Sequence, residues 1–218
     1  VLPGDPDGLH VLRHSAAHVT AQAVCDLWPG TRYAIGPPTA DGFYYDLELP
    51  GQISETDLPK IEDRMREIVA ADQPFVREEL PRAEALERFA DQPYKREIIE
   101  SLEEGEVPAG ETVTVYRNDG WADLCLGPHV PSTWRLGGAF KLMKLAGAYW
   151  RGDEARPMLT RIYGTAWATQ DELDDYLHRL EEAEKRDHRR LGRELDLFSF
   201  PEELGPGLAV WHARGGLF

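Results

Sequence analysis

The sequence predicts an α+β fold, in which an antiparallel sheet packs with helices and one long helix follows. Three observations carry this. Residues 9–28 repeat their apolar side chains at helical spacing. Residues 31–47 form two β-rich runs around a Gly-Pro-Pro loop, the pattern of a hairpin. Residues 169–195 are densely charged with few apolar positions, as in a connecting helix rather than a core one.

The elements follow in order. Leu9, Leu12, Ala16, Val19, Ala23 and Leu27 form the stripe of the first helix, and Pro29-Gly30 ends it. Strands are expected at 31–35 and 42–47. A second helix spans 54–71, opened by Ser54 and Asp57 as a capping box and striped by Leu58, Ile61, Met65 and Ile68. Shorter helices are expected at 82–90 and 94–103. Residues 112–117 alternate β-formers and predict a strand, and 123–126 another, stopped by Gly127-Pro128. Residues 139–151 are of mixed character, and only 146–151 read as a strand; 158–164 is a further one. Thr169 with Glu172 opens a single helix over 169–195, with Leu173, Leu177, Leu180 and Leu191 on its apolar side. Residues 196–218 hold Gly205-Pro206-Gly207 and no complete element.

Composition bounds the function. The chain is 42% hydrophobic and 29% charged, which suits a folded domain and not a disordered segment. No run approaches the roughly 20 apolar residues of a membrane helix, and no signal peptide precedes the fold, so no membrane partner is expected. Two cysteines, Cys25 and Cys125, give no disulfide framework, and a reduced, cytoplasmic setting is expected. The net charge of -15 argues against general affinity for nucleic acid, although basic residues can still cluster locally. The start at Val1 and the end at Phe218 suggest a fragment of a longer chain.

Chemistry concentrates in two places. His10, His14 and His18 are four apart on the first helix; four residues turn about 400°, so the three share a face. His14 and His18 can converge on one target. Zinc proteases place Glu directly after the first His of such a pair, and here the residue is Ser15, which argues against that chemistry. The second group is Asp123-Leu124-Cys125-Leu126-Gly127-Pro128-His129. Gly-Pro forbids a regular helix, and the resulting turn can aim Cys125 and His129 at one point. A lone Cys is ordinarily buried filler. Three imidazoles with one thiol, however, could hold zinc, or work without metal to move protons and orient water. Lys185, Arg186, Arg189, Arg190 and Arg193 recur three or four apart on the long helix and are the candidates for nucleic-acid contact; the same face carries Glu181, Glu182 and Glu184, with which they could simply pair.

The pairs His14-Ser-Ala-Ala-His18 and Cys125-Leu-Gly-Pro-His129 resemble the signature of the editing domain shared by threonyl- and alanyl-tRNA synthetases. Longer stretches, Gly42-Phe-Tyr-Tyr-Asp46, Phe140-Lys-Leu-Met-Lys-Leu-Ala-Gly-Ala-Tyr-Trp-Arg-Gly152 and Leu159-Thr-Arg-Ile-Tyr-Gly-Thr-Ala-Trp167, resemble the bacterial threonyl enzymes, and the likeness runs over nearly the whole chain. The resemblance implies an editing domain at 1–168, a linker helix at 169–195 and the opening of a synthetic domain at 196–218. It implies hydrolysis of serine from mischarged tRNA(Thr), within a parent enzyme that ligates threonine to tRNA(Thr). That parent is expected to be a cytoplasmic homodimer using ATP, Mg and Zn in a catalytic domain beyond this fragment; the fragment itself is expected as a monomer without cofactor, zinc at the His/Cys set being the exception considered. The site residues carried over are His14, His18, Lys95, Asp123, Cys125 and His129, with the 3′ end of tRNA(Thr) as partner. A free-standing deacylase, a non-catalytic tRNA-binding module and a metal-dependent hydrolase of another small ester are the rival readings.

Overall fold

A computed structural model describes residues 4–102, 112–201, 208–214 and 216, and the chain falls into two compact units, 1–173 and 174–218. The α+β class is observed: antiparallel sheets packed with helices. In the first unit, helix α1 (Pro6–Leu27) lies against strands β2 (Phe43–Glu48) and β7 (Met158–Ala166) and helix α2 (Leu58–Ala70). Its small side chains explain this position: Ala16, Ala17, Ala21 and Ala23 are fully buried, so the helix is enclosed well beyond its expected stripe.

With β1 (Arg32–Tyr33) and β6 (Phe140–Tyr149), these strands form a four-stranded antiparallel sheet in the order β1-β2-β7-β6. Phe43, Tyr45 and Leu47 alternate toward the core, where Ile162 is the cross-strand partner of Tyr45. The expected hairpin of β1 and β2 forms, and the strand at 158–164 extends to Ala166. Strand β6 is longer than its sequence suggests. A bulge between Leu142 and Lys144 shifts the register, so the alternation changes phase partway along and hides the strand's first half.

A second, three-stranded sheet holds β3 (Val76–Pro81), β4 (Thr112–Asn118) and β5 (Trp121–Leu124). Strand β3 is absent from the sequence reading, because Val-Arg-Glu-Glu-Leu-Pro is mostly charged. It is an edge strand: Leu80 points inward, while exposed Arg77 and Glu79 keep the outer face polar. Helices α3 (Arg82–Arg88) and α4 (Pro93–Ser101) fall where two short helices are expected; the predicted end at Glu103 lies outside the described residues. At the expected second helix, Ser54 and Asp57 form the capping box, and a single 3-10 turn precedes α2.

The long helix expected at 169–195 is two helices, α5 (Gln170–Lys185) and α6 (His188–Glu194). Thr169 and Glu172 bond reciprocally and start α5 as expected, with N–H···O distances of 3.1 and 3.3 Å. The Asp187 amide reaches back only three residues, to the Glu184 carbonyl at 3.2 Å, and the chain restarts as α6. In the second unit, β8 (Phe198–Ser199) and β9 (Val210–Trp211) make a minimal pair where no element is expected. His212 ties them down, with Nδ1 at 2.6 Å from Asp196 and Nε2 at 2.9 Å from the Ser199 hydroxyl. Among the described residues, no helix is long and apolar enough to cross a membrane.

Candidate active site

Helix α1 delivers the first pair. His14 and His18 share a face as the spacing requires, with ring centroids 5.1 Å apart. The turn after β5 delivers the second. Cys125 Sγ lies 3.2 Å from His14 Nε2 and 3.3 Å from His129 Nε2, and accepts the Gly127 N–H at 3.2 Å. The turn depends on Gly127: its φ is +73°, and a Cβ there would stand 2.3 Å from the Tyr116 hydroxyl oxygen. Gly127→Ala is therefore expected to displace the 125–129 turn, with a stability loss of about 1–3 kcal/mol in urea unfolding. An unchanged urea midpoint for that variant would contradict this geometry.

Ser15 fixes one tautomer. Its hydroxyl donates to the Val11 carbonyl at 2.8 Å and accepts the Val130 N–H at 3.0 Å. With its only hydrogen committed, it faces His129 Nδ1 at 3.2 Å as an acceptor. His129 Nδ1 therefore carries the proton, and its Nε2 lone pair is turned to Cys125. Phe75 stacks on the same ring, 4.9 Å away and nearly parallel.

Asp123 gathers a second set of contacts. Lys95 Nζ from α4 stands 2.5 Å from its Oδ1, the Tyr45 hydroxyl donates to its Oδ2 at 2.6 Å, and His18 Nε2 is 3.4 Å from the same oxygen. Lys95, Asp123 and His18 are each only 2% exposed, and the Lys95 ammonium also lies 5.6 and 5.8 Å from the ring centres of Tyr33 and Tyr45. A proton held on His18 Nε2 by the carboxylate leaves Nδ1 as the lone-pair atom, and that buried nitrogen has no hydrogen-bond partner among the described residues.

Burial sets the protonation states. It lowers the pKa of His14, which Asp123 partly opposes, and lowers those of His18 and His129 further. It pushes the Cys125 thiol up to about 12. Neutral imidazoles thus surround a protonated thiol at neutral pH. His14, His18, Lys95, Asp123 and Cys125 line one cavity of about 800 Å³, whose other walls include Ile35, Pro37, Ile98 and Leu124. His129 stands behind Cys125 and does not line it. A cavity of about 790 Å³ at Cys25, Gln92 and Trp121 gathers no histidine or lysine, and the Cys25 thiol is likewise pushed up to about 12 by burial.

The donor set fits a soft metal ion. One ligand atom from each of His14, His18, Cys125 and His129 lies within 4.8 Å of the others, and the orphaned His18 Nδ1 together with the fixed His129 tautomer would supply lone pairs. Ser15 behind His129 and Asp123 behind His18 are the outer partners such ligands need.

The structure thus brings together all six residues expected at the site. Sequence reasoning missed Tyr45 and Ser15. Tyr45 was detectable as the inward position of β2 with a hydroxyl to satisfy, and Ser15 as the polar residue between the two histidines. The basic set is placed differently from expectation. Lys185 ends α5, where it pairs with Glu181 and Glu182 at 2.8 and 3.2 Å, and Arg186 faces Glu182 at 3.4 Å. Arg189, Arg190 and Arg193 belong to α6, and Arg190 pairs with Glu194 at 3.4 Å. The helix break interrupts the continuous face that unbroken helical spacing would give them.

Residues 113–163 match the model of the threonyl and alanyl tRNA synthetase second additional domain. A threonine--tRNA ligase of Rubrobacter xylanophilus is 57% identical over 216 residues, 99% of this chain and 33% of that protein. Those of Sinorhizobium medicae and a Chelativorans species are 55% and 56% identical over 213 residues, 97% of this chain and 31% and 32% of theirs. The chain spans about a third of the length of the curated relatives it matches.

Proposed function

We propose that this chain, which belongs to the threonyl-tRNA synthetase family, is that enzyme's editing part: a hydrolase of the ester joining serine to the terminal ribose of tRNA(Thr). The observation that carries the reading is the neutral His14 beside Cys125, at 3.2 Å, in one cavity with the buried Lys95. The same reading assigns 1–168 to editing, 169–195 to the linker and 196–218 to the start of the synthetic domain. Threonine ligation to tRNA(Thr) with ATP, and the dimer, then belong to the parent enzyme in the cytoplasm.

An ester hydrolase needs a base for water, a donor for the developing oxyanion and a shaped acyl pocket. His14 lines the cavity as a neutral imidazole and serves as the base. Cys125 holds its Nε2 edge, and His129 backs Cys125. Lys95 presents its remaining N–H donors to the ester oxygens. Asp123 is already engaged by Lys95, Tyr45 and His18, so it orients those groups rather than taking the substrate ammonium directly. Serine differs from threonine by one methyl, which a binding site discriminates by only about 10- to 200-fold. A second site that hydrolyses the smaller product restores fidelity. Deacylation of Ser-tRNA(Thr) against Thr-tRNA(Thr) by this chain tests the proposal; equal rates, or none on the seryl ester, would overturn it.

A zinc ion held by His14, His18, Cys125 and His129 would supply a Lewis acid for the same ester. Four protein ligands fill a tetrahedral zinc, however, which leaves no position for water unless coordination expands. Chelator-stripped protein is therefore expected to keep its rate within about twofold. A larger loss that zinc restores, with one equivalent found by elemental analysis, would transfer the water-activating role to metal. Contact of tRNA with Lys185, Arg186, Arg189, Arg190 and Arg193 predicts weaker binding with rising salt, less steeply once these residues are neutralised.

A further inference from the structure

His10 is the one member of the histidine series that the chemistry leaves unused. It is exposed, one helical turn before His14, and it lines a separate cavity of about 530 Å³. That cavity is built around Arg13. Arg13 is 5% exposed, and its guanidinium donates to the carbonyl of Ala166 at 3.2 Å and to that of Ala40. It lies 4.7 Å from the ring centre of Trp167, whose half-buried indole is fixed by donating to Thr165 Oγ1 at 2.8 Å. Pro38 lines both this cavity and the catalytic one, so the loop that carries it is the wall between them. Among the described residues, none that lines the second cavity is acidic, in a chain of 39 acidic residues.

We propose that this cavity is a nucleotide subsite, which takes the nucleotide 5′ to the terminal adenosine of a single-stranded RNA end whose aminoacyl ester lies in the catalytic cavity. The inference rests on the editing reading for its choice of RNA. Its chemistry is local: a fixed cation, a partly exposed indole and an exposed imidazole suit a base with its phosphate. Aromatic stacking is tolerant of base identity, so the subsite reads the presence of a preceding nucleotide more than its sequence. The position follows α1, which sets His14 and His18 at the ester and His10 one turn outward. The subsite also reconciles a net charge of -15 with an RNA substrate, because contact is confined to a cavity whose described lining includes Arg13 and His10.

The test compares the seryl ester of adenosine with the seryl ester of cytidylyl-adenosine. The full chain is expected to show kcat/KM about tenfold higher for the dinucleotide, chiefly through KM. In His10→Ala and in Trp167→Leu that ratio is expected to fall toward one. A fold defect lowers both substrates together and leaves the ratio in place. A ratio of one in the original chain, or a ratio of ten kept by both variants, overturns the subsite. Calorimetry with uncharged cytidylyl-adenosine and adenosine gives the same comparison without hydrolysis. If neither ester is cleaved but the dinucleotide binds about tenfold tighter, the editing reading fails and the subsite stands.

Discussion

His14→Ala is expected to slow single-turnover deacylation of Ser-tRNA(Thr) by about 10²- to 10⁴-fold, the range that positioned general bases contribute. The fold is expected to survive, because His14 is only half-buried and Cys125 keeps its contacts to His129 Nε2 at 3.3 Å and to the Gly127 amide. A cooperative urea transition near that of the original chain checks this. Cys125 plays a different part. Burial keeps its thiol protonated, with a pKa pushed up to about 12, so under the proposed reading its part is to hold the imidazole and not to attack the ester. Cys125→Ser, which keeps a hydrogen-bonding group, is accordingly expected to retain more activity than Cys125→Ala. A His14→Ala rate within threefold of the original would remove His14 from the chemistry and leave Lys95 as the remaining agent at the ester.

How far the site was legible depended on how its parts are encoded. His14 and His18 follow from helical spacing alone. Cys125 and His129 follow from a turn that Gly127-Pro128 forces. Neither pair says that it meets the other, because that meeting is tertiary: it needs α1 enclosed by its alanines and β5 ending beside it. Lys95 and Asp123 look like a surface lysine and a turn acceptor in the sequence, and only family resemblance singled them out. Their burial depends on Tyr33 and Tyr45, and on Gly36, whose absent Cβ would lie 2.1 Å from the Tyr45 ring. Such long-range complementarity has no local periodicity to read.

The fold shows the same division. Helices with strong stripes or caps, such as α2 and the start of α5, were legible because their signals are local. Strand β3 was not, since an edge strand with charged outward residues lacks the pattern of a buried one. The first half of β6 was obscured by its bulge. The break between α5 and α6 carries neither Pro nor Gly, and charge spacing reads straight through Arg186-Asp187. The basic residues from Lys185 to Arg193 share one face only if that spacing is uninterrupted, and the break leaves Lys185 on one helix and Arg189, Arg190 and Arg193 on the next.

Asp123→Ala is expected to be the most destabilising single change at the site, at about 3–5 kcal/mol in urea unfolding. It would leave the Lys95 ammonium buried at 2% exposure without its carboxylate, and would strip the Tyr45 hydroxyl and His18 of their acceptor. The double change Asp123→Leu with Lys95→Met separates stability from chemistry. Desolvating two charges offsets much of their attraction, so replacing both by apolar groups of similar size is expected to recover about 1–4 kcal/mol relative to Asp123→Ala. Activity is expected to stay lost in both, because neither presents a cation to the ester oxygens. A double variant no more stable than the single would mean that Tyr45 and His18, not the ion pair, dominate the energetics there. A double variant that still deacylates would remove Lys95 and Asp123 from the mechanism. The expected pattern, stable but inactive, would mean that this pair is kept in the core for the electrostatics of the site, at little net benefit to the fold.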